Sequence, residues 1–179
     1  ISACLVGSEM CIRDRGRMGL RLVDPTRMHL TLCFLGSRPV GEIESLAATI
    51  PACAGHASEL SLGAPIWLPS RRPRTLAVEV HDGEGELTRL HGELQQALAR
   101  VGRWEPERRR FRAHVSVARV RGGRRHASKK ERPQALPQPP PTPRASFYAE
   151  SLTLYRSFLA PGGAIYEPLA RCSLLPADV

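Results

Sequence analysis

Aromatic residues are scarce in this chain. Phe, Tyr and Trp make up 5% of its 179 residues, and there are three methionines. A core must therefore be built from Leu, Val, Ala and Ile, and the 42% hydrophobic content is enough for one. No apolar run approaches the roughly 18 residues that a membrane-spanning helix needs. The five cysteines, Cys4, Cys11, Cys33, Cys53 and Cys172, are odd in number and include no Cys-x-x-Cys pair. That argues against a disulfide framework or a zinc knuckle and for reduced thiols in the cytoplasm. Acids are also in deficit. There are 17 against 26 Lys and Arg, a net charge of +9, which excludes an acidic disordered tail.

The excess charge is concentrated. Between Arg121 and Arg144 lie seven Lys/Arg and one acid, together with six of the 16 prolines. Periodicity is lost there, and 121–144 reads as a basic Pro-rich loop within one domain. A polyanion such as RNA is the natural partner for such a charge balance; a solvated basic loop is the simpler alternative. Residues 1–15 show neither a signal-peptide core nor any period and read as a non-native or disordered segment. The domain is then 16–179, and a monomer is the expectation.

Elsewhere strands and helices alternate. Strands are expected at Arg21–Val23, Met28–Leu35, Leu60–Leu68, Thr75–Val80, His114–Arg119, Phe147–Phe158 and Ala164–Leu169. One helix is expected from a Ser37 cap, with Val40, Ile43, Leu46 and Ile50 on its core face and Pro51 as its end. A second carries Leu87, Leu90, Leu94 and Leu98 on one stripe. The pattern implies an α+β domain of mostly antiparallel sheet with helices packed outside.

Two segments repeat one pattern. His29-Leu30-Thr31-Leu32 and His114-Val115-Ser116-Val117 both read His, aliphatic, hydroxyl, aliphatic, 85 residues apart. In a strand, alternation shows the imidazole and hydroxyl to one face and buries the aliphatic pair on the other. A single copy is most simply a strand with a satisfied histidine. Two copies suggest an internal duplication: two pseudo-symmetric lobes with both imidazoles and both hydroxyls around a central active-site cleft. An imidazole titrating near neutrality suits proton transfer at such a site. The other histidines, His56, His81, His91 and His126, lack this context and are expected to be exposed or locally hydrogen-bonded. Phe34 is expected in the core.

The paired motifs resemble those of the 2H phosphoesterases, and most closely the bacterial RNA 2′,3′-cyclic phosphodiesterases, also called 2′-5′ RNA ligases. Arg27-Met-His-Leu-Thr-Leu-Cys-Phe-Leu-Gly36 is similar to the first signature and Phe111-Arg-Ala-His-Val-Ser-Val-Ala-Arg119 to the second. Ser151–Ser157 and Pro161–Leu169 resemble the closing hairpin. Ser116 stands where Thr is commoner, Ala113 where Pro is frequent, and the usual strand and helix before the first motif are not recognisable.

The resemblance implies hydrolysis of RNA 2′,3′-cyclic phosphate ends to 2′-phosphomonoesters, without metal or cofactor. His29 would be proton donor and His114 proton acceptor, with Thr31, Ser116 and Arg119 binding phosphate. By strict alternation Arg119 faces away from His114, unless the strand ends or bulges first. Alternatives that remain open are 2′-5′ RNA ligation, action on small cyclic nucleotides or 2′-5′ oligonucleotides, and RNA binding without catalysis.

Overall fold

Leucines at 87, 90, 94 and 98 recur every three or four residues, and one helical stripe buries all four. The structure, a computed structural model, describes residues 20–101, 104–107, 109–120, 138–160 and 163–176. The expected foreign segment 1–15, most of the basic loop and the Pro161-Gly162 turn lie outside the described residues. Residues 138–144 of the loop have no regular structure.

In chain order the elements are β1 (Leu20–Leu22), a 3-10 turn (Pro25–Arg27), a second 3-10 turn (Val40–Glu42) leading into α1 (Ile43–Cys53), β2 (His56–Ala57), β3 (Glu59–Leu68), β4 (Thr75–Asp82), α2 (Glu86–Val101), β5 (His114–Val120), β6 (Ser146–Tyr148), β7 (Ser151–Ala160), β8 (Gly163–Ser173) and β9 (Leu175–Pro176). Five strands are hydrogen-bonded in the order β1-β5-β4-β3-β6; β7 pairs with β8, and β2 with β9. The β1–β5, β3–β6 and β7–β8 pairs are antiparallel, and β2–β9 is parallel. This is the expected α+β class with mainly antiparallel sheet.

The chain divides into two units. The first comprises Ile1–His29, Ala64–Val78 and Val115–Thr142, the second Leu30–Gly63, Glu79–His114 and Pro143–Val179. In the first unit, β1 lies against β5 with Leu20 opposite Val120 and Leu22 opposite Ala118; Leu20 and Ala118 are buried. The Arg74 N–H donates to the Leu68 carbonyl (2.8 Å), closing the basic turn expected at 69–73.

Both helices belong to the second unit and pack on each other. Ile50 and Cys53 of α1, Leu90 and Leu94 of α2 and Leu152 of β7 form one buried cluster. Leu46, Leu98 and Trp104 form another. Burying such side chains contributes about 1.5–3 kcal/mol each, which is the main force holding this unit. The buried Thr49 hydroxyl is satisfied locally, donating to the Leu46 carbonyl at 2.7 Å. Asp82, at the end of β4, accepts from the Thr88 N–H (3.0 Å) and hydroxyl (3.2 Å) and so ties the first turn of α2 to the sheet.

Several expectations are corrected. Met28–Leu35 is not a strand; only Leu30 makes an isolated bridge. Side chains take carbonyls at the segment's exit: the Trp104 indole donates to Phe34 O (3.1 Å) and Arg38 Nε to Leu35 O (3.0 Å). Leu32, Cys33 and Leu35 still pack on the helical clusters, whereas Phe34 is 70% exposed and not core. The first helix is not capped by Ser37, since the 3-10 turn that leads into it starts after Pro39. It also runs past Pro51 to Cys53, which is part of the buried face. Val40 is exposed. Finally, Phe147–Phe158 is two strands that serve different partners, with Ala149-Glu150 as the break.

Candidate active site

Asp24 initiates the turn ahead of the first motif. Its Oδ1 accepts from the Thr26 N–H (2.9 Å) and hydroxyl (2.7 Å), which holds its carboxyl below the usual range. The Arg27 N–H bonds back to Asp24 O, and the turn ends with the Arg27 carbonyl facing the next imidazole. His29 Nδ1 lies 2.8 Å from Arg27 O. In the second motif, His114 opens β5 and its Nδ1 lies 2.7 Å from Arg112 O.

A carbonyl can only accept, so in both motifs Nδ1 carries the hydrogen and donates it. Nε2 then carries a lone pair in the neutral ring and an N–H in the cation. The same hydrogen bond to the carbonyl two residues upstream thus fixes the same tautomer in both rings. Two imidazoles fixed in this way can divide the labour of an acid and a base.

The other sequence-predicted residues fall as follows. His29, Ser116 and Arg119 belong to the first unit, and Thr31 and His114 to the second. Thr31 is exposed and Ser116 half-buried. On β5, alternation puts His114, Ser116 and Ala118 on one face and Val115, Val117 and Arg119 on the other. The strand runs on through Val120, with exposed Arg119 opposite Arg21 of β1. Because Met28–Leu35 is irregular, the alternation argument does not extend to His29 and Thr31. Arg71, Arg72, Arg109 and Arg110 are all exposed.

Around the second motif the structure adds contacts that the sequence did not reveal. Arg112 donates to Glu79 Oε1 through Nε (2.8 Å) and Nη2 (2.5 Å). Phe111 stacks on His91 of α2, with centroids 4.1 Å apart and planes at 14°. Burial pushes the His91 pKa down, against an opposing pull from Glu107. Desolvation raises the Cys33 thiol to about 11, with the charges of Glu107 and Cys53 adding to the rise. His81 lies against Gly63, where a Cβ would overlap its Nε2. His126 is outside the described residues. Among the described residues, no three His, Cys, Asp or Glu side chains gather as metal ligands, and no helix is long and apolar enough to cross a membrane.

The two histidines thus share one local geometry on an α+β scaffold. The family model for the 2′-5′ RNA ligase superfamily matches residues 15–157, and the chain belongs to that family. It is 35% identical over 108 residues to an RNA 2′,3′-cyclic phosphodiesterase of Aeropyrum pernix, covering 59% of this chain and 60% of the relative. A protein of the same name from Archaeoglobus fulgidus is 27% identical over 159 residues, covering 86% of this chain and 84% of that one. The fold matches E. coli LigT complexed with 3′-AMP at a TM-score of 0.68 and 27% identity, over 91% of this chain and 88% of LigT.

Proposed function

We propose that this protein hydrolyses RNA 2′,3′-cyclic phosphate ends to 2′-phosphomonoesters, with residues 16–179 working as one domain. The observation that carries the reading is the duplicated imidazole arrangement, in which each Nδ1–H is held by the carbonyl of the arginine two residues upstream. The names of the two archaeal relatives and the nucleotide bound to LigT support the substrate class.

In this mechanism neutral His114 takes a proton from water through Nε2. The water oxygen forms a new bond to phosphorus as the P–O3′ bond breaks. Protonated His29 gives its Nε2 proton to the departing 3′-oxygen. The product carries a 2′-phosphate and a 3′-hydroxyl, and solvent resets both rings. Donors poised for the non-bridging oxygens stabilise the charge that builds there, and the Thr31 and Ser116 hydroxyls fill that role. Arg119, on the alternate face of β5, is assigned to a phosphate of the RNA strand, as are the exposed arginines of the 69–73 turn. No metal or cofactor takes part, since the imidazoles and hydroxyls supply both proton transfer and charge stabilisation. The protein acts as a monomer in the cytoplasm, a setting that suits the free thiols of Cys33, Cys53 and Cys172.

The test is product identity. An RNA oligomer ending in a 2′,3′-cyclic phosphate, incubated with the protein in EDTA, is expected to yield a 2′-monoester. A 3′-monoester, or no turnover, would overturn the reading. Running the nucleoside 2′,3′-cyclic phosphate alongside separates RNA from mononucleotide preference.

A further inference from the structure

The carbonyl that holds His114 belongs to a peptide secured from three directions within the second unit. On its N-terminal side the Phe111 ring lies flat on His91 of α2, centroids 4.1 Å apart. At the residue itself the Arg112 guanidinium grips Glu79 Oε1 through two nitrogens, at 2.8 and 2.5 Å. On the C-terminal side the Ala113 carbonyl accepts the Val80 N–H at 3.0 Å. Glu79 and Val80 are consecutive on β4, so sheet and side chain hold adjacent links of one backbone stretch. The first motif is built differently: there the Asp24-capped turn sets the Arg27 carbonyl.

From this geometry we infer that Glu79 is a positioning residue for His114, acting through the Arg112 side chain to fix the Arg112 carbonyl and with it the imidazole. The inference rests on the proposed role of His114 as base. The stability argument makes it sharp. The Arg112 side chain is 57% and the Glu79 side chain 25% exposed, and ion pairs so open to water add little to folding. A purely structural pair would therefore be nearly silent when broken. A pair that orients a base is not silent, because an atom displaced by a fraction of an ångström costs turnover steeply.

Glu79→Gln is expected to lower kcat by about fivefold to thirtyfold, while KM stays within about twofold and the melting temperature barely moves. The reference is Glu93→Gln, which breaks another solvent-open ion pair, with Arg89, and should leave kcat at the wild-type value. Exchanging the partners, Glu79→Arg with Arg112→Glu, should restore most of the lost kcat. Two-bond nitrogen–hydrogen NMR of the rings supplies a readout independent of turnover. His114 should be the Nδ1–H tautomer in the wild type and a mixture in Glu79→Gln, while His29 stays unchanged.

An unchanged tautomer together with a kcat loss no larger than that of Glu93→Gln would overturn the inference, as would a charge exchange that rescues nothing. A wild-type protein without cyclic phosphodiesterase activity would instead remove the base reading, and the tautomer spectra would still decide whether Glu79 positions the ring.

Discussion

Trp104→Phe should loosen the exit of the first motif by an amount the structure allows to be estimated. Trp104 is 6% exposed and packs with Leu46 and Leu98, while its indole N–H donates to the Phe34 carbonyl at 3.1 Å. Phenylalanine keeps the aromatic face and loses the donor. Leaving a part-buried carbonyl without its partner costs about 1 kcal/mol. The smaller ring also leaves a void beside Leu98, worth about another 1 kcal/mol on the scale of core truncations. The total of about 2 kcal/mol corresponds to a fall in melting temperature of about 4–8 °C for a chain of this size. Urea denaturation followed by circular dichroism measures it. Phe34→Ala is the companion variant: only the Phe34 backbone is used and its side chain is 70% exposed, so its effect should stay within about 0.5 kcal/mol. Wild-type stability in Trp104→Phe, or a Phe34→Ala effect as large as the tryptophan's, would refute the view that a side-chain hydrogen bond stands in for strand pairing here.

Leu94→Ala, at a site 4% exposed between both helices and β7, should destabilise by about 2–5 kcal/mol in the same assay. The Cys33 thiol, raised from 9.0 to about 11 in the folded protein, disfavours the thiolate there. Its contribution to stability is therefore complete below pH 9 and lost as pH rises toward about 11. Cys33→Ser should flatten that part of the pH–stability curve, and a curve unchanged in the variant would count against it. His91 has the opposite sign. Burial lowers its folded pKa, so its contribution is complete above its unfolded value of 6.5 and lost as pH falls through the folded value. His91→Phe keeps a ring on Phe111 and should lose less stability than wild type between pH 7 and 5 by thermal melts; equal losses would contradict this.

Local pattern was legible wherever local physics governs. The leucine stripe of α2 follows from periodicity, since one buried face sorts its side chains; β5 was legible as a strand, but Val115 and Val117 are only half-buried and the buried residue is Ala118, on the face of His114 and Ser116. Met28–Leu35 misled because its carbonyl partners, the Trp104 indole 70 residues away and the Arg38 side chain, are invisible to a scan for alternation. Pro51 misled because the burial of Cys53 outweighs the hydrogen bond that a proline cannot donate. The Phe147–Phe158 run reads as continuous, yet Tyr148 pairs with Glu59 while Leu152 pairs with Cys172; which sheet a strand joins depends on distant sequence.

The site divides in the same way. The His-x-Thr and His-x-Ser motifs stand out because repetition is a sequence property. The carbonyls that fix their tautomers do not, because every residue has a carbonyl. Glu79 escaped notice because it reaches Arg112 from 33 residues away. The arginine two places before each histidine, Arg27 and Arg112, was the visible trace of the repeated arrangement.

The division of labour between the histidines is tested most directly by changing the leaving group. Wild type, His29→Ala and His114→Ala are assayed on a cyclic-ended RNA and on a phosphodiester that releases 4-nitrophenolate, which departs without a proton. On the RNA, both variants should lose about 10²–10⁴-fold in turnover. On the nitrophenyl ester, His29→Ala should approach wild-type turnover while His114→Ala stays impaired. Equal impairment of both variants on both substrates, or full RNA activity in either, would contradict the account.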